Sequence, residues 1–251
     1  MNGFDVQSSD KGFVVIEDYG SDGSATVQEF VAPYSPAYFE RNETAVDSWH
    51  YAYVKRTIDA IMAFALLLIL FVPGVIISAA IIVTSRGPVF YREKRLGRYG
   101  RPFRIWKFRS MAVQDSEQRK QHGPNSAAEH IVYRTRKNQH DPRITAVGGF
   151  LRRWSLDEIP QILNVLQGQM SMIGPRPIVE EEACFYGDLL PYYLAATPGL
   201  SGLWQVSGRS NIDYPKRAAL DASYVMDWSL KLDLDIFKQT IPAVLRKTGA
   251  C

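Results

Sequence analysis

"VKRTIDAIMAFALLLILFVPGVIISAAIIVTSRG", residues 54–87, is the stretch that decides the architecture. From Ala60 to Val83 it runs 24 residues without a charge, mostly Leu, Ile, Ala, Val and Phe. A charge at the centre of a bilayer costs roughly 2.5–3.5 kcal/mol, so such purity points to lipid rather than to the core of a small domain. As a straight helix the run reaches ~36 Å, enough for a hydrocarbon core of ~30 Å. Pro73–Gly74 interrupts it. Proline offers no N–H to the Ile69 carbonyl and its ring crowds that carbonyl, which predicts a kink or break. Split there, the arms measure ~20 Å and ~16 Å, each too short to cross alone. Basic residues flank both ends, Lys55–Arg56 before and Arg86 after, as expected of cytoplasmic flanks. Asp59 sits at the boundary, where Lys55 and Arg56 at i−4 and i−3 neutralise it. A kinked spanning helix and a re-entrant helix both stay open on these residues.

The flanks differ in charge. Residues 1–50 hold nine Asp/Glu against two Lys/Arg, whereas residues 86–109 hold nine Lys/Arg and a single Glu93. The chain's net charge of +3 conceals this segregation. Residues 1–54 read as an acidic extension without regular structure, punctuated by Gly, Ser, Asp and the prolines at 33 and 36. No basic segment followed by an apolar core opens the chain, so no secretory signal is expected. The basic strip "RGPVFYREKRLGRYGRPFRIWKFRSM" interleaves Arg/Lys with aromatics. That pattern suits either nucleic acid or a membrane interface, and its place directly after an apolar helix favours membrane lipid over nucleic acid. Lys55, Arg56, Pro73, Lys107 and Arg109 are the candidate interface residues. Strand-forming residues on both sides of Gly97–Gly100 predict a small β-hairpin. Two distant cysteines and four histidines without ligand spacing argue against a zinc site and fit a reduced setting.

Residues 112–140 are polar and aperiodic. Beyond them, "RITAVGGFLRRWSLDEIPQILNVLQG" predicts a helix through Phe150–Trp154, a break, and a helix from about Asp157 to Gln167 ended by Gly168. Ser155 and Glu158 have capping-box spacing, so Asp157–Glu158 taken alone is helix punctuation. Near the end, residues 218–247 offer two amphipathic stretches suited to a membrane plane. Internal repeats and glycine-rich nucleotide motifs are missing.

The motifs "KFRSM" (107–111), "DPRITAVGGFLRRWSLDEIPQILNVLQGQMSMIGPRP" (141–177), "TPGLSGLWQVSGR" (197–209) and "LDASYVMDWSLKLDL" (220–234) follow a "KRTID" membrane helix in this order. This set resembles the bacterial sugar transferases, the monotopic polyprenyl-phosphate hexose-1-phosphate transferases. It is most similar to the branch that begins exopolysaccharide synthesis with galactosyl-phosphate. The resemblance spans about Lys55 to Leu245.

It implies an α+β, mostly α fold: a re-entrant or kinked membrane helix (55–86, broken at Pro73), interfacial amphipathic helices and the hairpin around a compact catalytic domain (87–251). The implied reaction moves hexose-1-phosphate, galactose or glucose, from a UDP-sugar to undecaprenyl phosphate at the cytoplasmic face of the inner membrane and releases UMP. By resemblance Asp157 is the nucleophile and forms an aspartyl-phosphosugar, and Glu158 holds Mg²⁺. Arg152, Arg176 and Arg209 then bind phosphate, with Asp221 a further binding residue. A carboxylate suits covalent phosphoryl chemistry once its anionic target is neutralised, and Mg²⁺ needs only one or two carboxylates beside substrate phosphates. The family's Ser–Pro break reads Val72–Pro73 here, and Gly74 or Ser78 is expected to accommodate the freed backbone. A non-enzymatic membrane adaptor and a UDP-releasing glycosyltransferase using Asp233-x-Asp235 are the alternatives. Oligomeric state, a homodimer included, stays open.

Overall fold

Residues Arg56–Thr84 form one uninterrupted helix, α1, with Pro73 inside it and a π-helical turn, His50–Lys55, leading into it. The computed structural model describes the backbone at 4–8, 14–19 and 25–30, and residues 44–112, 143–208 and 212–245. The helix is not broken at Pro73. Ser78 donates to the Gly74 carbonyl at 2.7 Å rather than to that of Ile69, so the serine back-bonds its own turn.

One stripe of α1 touches protein along its whole length. Lys55, Asp59 and Ala63 are buried, Leu66 and Leu70 pack on the main core, and Ile77 and Ile81 pack on a second cluster with Phe108 and Leu151. The spacing of three and four residues is that of a single helix face. The opposite face is bare: Ile61, Phe64, Leu68, Phe71 and Ile82 are each more than half exposed.

After α1 the chain forms the expected hairpin, β4 (Phe90–Leu96) and β5 (Pro102–Phe108), antiparallel with Glu93 opposite Ile105. Tyr99 (φ 58°) and Gly100 (φ 71°) turn the connection. The Arg92 guanidinium lies 3.7 Å from the centre of the Trp106 ring across the pair.

Helix α2 (Ala146–Arg153) is capped by Thr145, whose hydroxyl accepts from the Gly148 amide at 2.9 Å. A 3-10 stretch, Leu156–Gln161, and a short helix α3, Ile162–Leu166, follow. The expected single helix from Asp157 therefore starts as 3-10, with Pro160 inside that tighter segment. Ser155 takes a left-handed conformation (φ 55°) and its side chain caps nothing, so the capping-box spacing is not used. Strands β6 (Ser171–Ile173) and β7 (Gly199–Ser201) pair in parallel, and a 3-10 segment Glu180–Leu189 with helix α4 (Leu190–Ala195) lies between them. Helix α5 (Leu203–Val206) leads to α6 (Tyr214–Met226) and α7 (Leu230–Leu245), the two amphipathic helices expected near the end. The main core gathers α1, β5, α3, β6, α6 and α7 around Ile105, Ile162, Val165, Met172, Tyr224 and Ile236.

The N-terminal expectation needs correction. β1 (Phe4–Ser8), β2 (Val14–Tyr19) and β3 (Ala25–Phe30) form an antiparallel sheet, with Val6 opposite Ile16 and Ile16 opposite Gln28. Val, Ile, Thr and Phe supply the β-formers, which the acidic composition outweighed in the sequence. Residues 45–55 also belong to the larger unit, which holds α1, since Val46 and Tyr51 are buried in its core.

Candidate active site

Asp157 and Glu158 lie half-buried on the first turn of the 3-10 stretch. Strand β5 runs beside this stretch. From it the Lys107 ammonium reaches Glu158 Oε1 at 2.9 Å. The carboxylate of Glu158 also feels Arg176, whose positive charge it favours.

Arg152 occupies the last turn of α2, where its Nε donates to Ser110 Oγ at 2.8 Å. Gly148 makes that approach feasible. A Cβ on Gly148 would lie 1.9 Å from the Ser110 carbonyl oxygen, so only glycine lets α2 press against the backbone that leaves β5. Lys107 is thus held at the turn that carries Asp157, while Arg152 is held at Ser110, just beyond β5.

Behind Arg176 lies a network of which the sequence reading picked out only Arg176 and Asp221. Arg95 donates to the Pro177 carbonyl at 3.1 Å and pairs with Glu93 at 2.5 Å and Glu182 at 3.8 Å. Arg217 stacks 4.6 Å from the Trp204 ring and 4.9 Å from that of Tyr214, and Arg176 lies 5.5 Å from Trp204. Asp221 is fully buried and accepts from the Tyr186 hydroxyl at 2.8 Å. Burial and the neighbouring guanidiniums of Arg217 and Arg95 hold the Arg176 pKa below its usual value. Burial pushes the Glu182 carboxyl up, but Arg176, Tyr214, Arg217 and Arg95 outweigh it and bring it below the ordinary range. For Asp221 burial wins over Arg217 and the Tyr186 hydrogen bond, and its pKa rises to about 7. One sequence signal did exist: Arg217 and Asp221 are four residues apart, on one face of α6.

Several expected interface cations turn inward. Arg109 is buried and donates to the Ser85 carbonyl at 2.8 Å and to that of Arg86, anchoring the chain beyond α1. Arg56 donates to the Val165 and Leu166 carbonyls at 2.5 and 2.8 Å, at the C-terminus of α3. Lys55 is buried against Asp233 at 2.7 Å and Asp59 at 3.7 Å. Carbonyls at a helix end and buried carboxylates need such donors, and charge in a sequence does not tell which way a side chain points. Lys107 likewise faces Glu158 rather than a head group. Pro73 is exposed. Arg209 lies outside the described residues.

Among the described residues no group of three or more His, Cys, Asp or Glu side chains forms a metal cluster. Two adjacent half-buried carboxylates fit Mg²⁺ all the same, since that ion commonly takes one or two carboxylates and completes its shell with water and substrate phosphate. Asp233 accepts from Lys55, Tyr224 at 2.8 Å and Trp228 at 3.1 Å. It is a packing hub, not half of a metal motif.

The family model described as bacterial sugar transferase matches residues 50–247. The exopolysaccharide production protein ExoY of Rhizobium meliloti is 43% identical over 198 residues, 78% of this chain and 87% of that protein. The undecaprenyl-phosphate galactose phosphotransferase of Salmonella typhimurium is 43% identical over 199 residues, 79% of this chain and 42% of that protein. The UDP-glucose:undecaprenyl-phosphate glucose-1-phosphate transferase of Escherichia coli is 37% identical over 196 residues, 75% of this chain and 39% of that protein.

Proposed function

Because the chain belongs to the bacterial sugar transferase family, we propose that it is a phosphoglycosyl transferase that moves hexose-1-phosphate from a UDP-sugar to undecaprenyl phosphate in exopolysaccharide synthesis. Galactose is the first candidate sugar and glucose the second. The observation that carries this reading is the acidic pair at 157–158, with Glu158 tied to Lys107 and in the field of Arg176, on a turn packed against an apolar helix.

In the first half-reaction an Asp157 carboxylate oxygen attacks the sugar-side phosphorus of the UDP-sugar. The bond from that phosphorus to the bridging oxygen breaks, UMP departs with the oxygen, and an aspartyl-phosphosugar remains. In the second half a phosphate oxygen of undecaprenyl phosphate attacks the same phosphorus, and the carboxylate is released. Arg176 and Arg152 supply fixed positive charge where negative charge accumulates. Lys107 holds Glu158 in place and neutralises it before substrate arrives. Mg²⁺, when bound through Glu158, neutralises diphosphate charge. Arg209 is proposed as a further phosphate ligand.

The contact stripe of α1 supports a helix lying along the membrane face of the domain rather than one crossing at right angles. A perpendicular helix touches its domain at one end, whereas α1 touches it at Asp59, at Leu66–Leu70 and at Ile81. Its bare face then meets lipid, and the basic strip that follows α1 supports a domain on the cytoplasmic side of the inner membrane.

The nucleotide product tests this reading. Membranes given UDP-galactose, Mg²⁺ and undecaprenyl phosphate are expected to release UMP, and Asp157→Asn to abolish it. UDP as the product would replace the reading with a glycosyltransferase.

A further inference from the structure

An apolar groove of about 370 Å³ runs between α1 and α2. Ile76, Ile77 and Ala80 form one wall, Ala146, Val147 and Phe150 the other. Its floor is shared with the reactive turn. Ile77, Val147 and Leu151 belong to the same apolar cluster as Leu156 and Ile159, which flank Asp157–Glu158 on either side. One end of the groove lies where α2 finishes, in the turn that carries Arg152 and Arg153. The rim is open: Ile76 is 64% and Phe150 54% exposed.

We propose that this groove holds the isoprenoid chain of the polyprenyl phosphate acceptor, with the phosphate at the Arg152 end facing Asp157; the proposal rests on the function assigned above. A complementary ligand must be apolar along its body and anionic at one tip. A single-chain phosphomonoester meets both demands. The common bilayer phospholipids carry two chains and a doubly esterified phosphate, and so meet the second demand less well. The volume lies within the range of ~300–1,000 Å³ typical of ligand sites, so the groove takes the first isoprene units and leaves the rest in lipid. The open rim lets the chain enter sideways from the bilayer, beside the bare face of α1. Held in this way, the acceptor phosphate meets the phosphosugar without leaving the interface, which turns an encounter in two dimensions into a positioned reaction.

The full chain in nanodiscs, treated with a diazirine-bearing polyprenyl phosphate and irradiated, tests the assignment. Labelled peptides are expected to contain residues 76–80 and 146–151, and undecaprenyl phosphate, but not phosphatidic acid, is expected to displace the label. Ala80→Trp and Ala146→Trp fill the groove. Each is expected to lose the labelling and to raise KM for undecaprenyl phosphate about tenfold, with a smaller rise for geranyl phosphate, whose chain is short. Label elsewhere, displacement by phosphatidic acid, or KM unmoved in both variants overturns the proposal. A protein that forms the sugar-diphospholipid yet labels elsewhere loses the groove and keeps the reaction. One that labels in the groove yet forms no such lipid loses the reaction and keeps the groove.

Discussion

Lys107 Nζ stands 2.9 Å from Glu158 Oε1, so strand β5 and the acidic turn are joined by an ion pair inside the candidate site. The Lys107 side chain is 18% exposed and that of Glu158 36%. A pair so placed adds at most about 1 kcal/mol to stability, and its main effect is on geometry. Lys107→Met is therefore expected to shift the melting temperature little while lowering kcat about tenfold or more. Steady-state kinetics beside thermal unfolding checks this; a large loss of stability with normal kcat would make the pair purely structural.

Glu158→Gln removes a charge but keeps the shape. If Glu158 holds Mg²⁺, the variant requires at least about tenfold more Mg²⁺ for half-maximal activity, in line with the loss of one ligand interaction. Chelation of divalent ions is expected to stop the wild type reversibly. Titration of activity against Mg²⁺ in both proteins decides it.

Asn164 is fully buried and ties β5 to α3. It accepts from the Trp106 amide at 2.9 Å and donates to the Arg104 carbonyl at 2.8 Å and to Gln169 at 2.7 Å. Asn164→Leu orphans a backbone donor and acceptor, each worth roughly 1–3 kcal/mol. Denaturant unfolding is expected to show a loss of about 2–5 kcal/mol. A loss below the lower bound would contradict the role assigned to this side chain.

Much of this was legible before any coordinates, and the rest was hidden for identifiable reasons. The apolar purity of 60–83 announced α1, and strand-formers around Gly97–Gly100 announced the hairpin, because both signals are local and periodic. Asp157 and Glu158 stood out through the motifs around them. Arg95, Glu182, Trp204 and Arg217 did not, since they come from four separate elements and meet only through packing. Lys55, at i−4 from Asp59, does pair with it as its spacing suggests, but the place of Arg56 and Arg109 at the interface rested on charge, whereas backbone carbonyls at helix ends claim both.

Asp221 brings pH into the stability. Its ordinary carboxyl pKa of 3.8 rises to about 7 in the fold. Between those values the folded chain holds a proton that the unfolded chain has released. The contribution is complete at low pH and is lost as pH climbs towards 7, with a slope of at most about 1.4 kcal/mol per pH unit. Asp221→Asn keeps an acceptor for Tyr186 and cannot ionise. Relative to wild type, the variant is expected to gain stability from pH 5 to pH 8; melting curves showing a constant difference would refute the raised pKa.

The central claim is that Asp157 becomes esterified to the sugar phosphate. Purified protein incubated with UDP-galactose and Mg²⁺ but without acceptor lipid, then digested and mapped by mass spectrometry, addresses it directly. The account predicts a hexose-phosphate adduct on the peptide containing Asp157, absent in Asp157→Asn and discharged by undecaprenyl phosphate. An adduct that persists in Asp157→Asn, or none in a protein that still makes the lipid product, would contradict it.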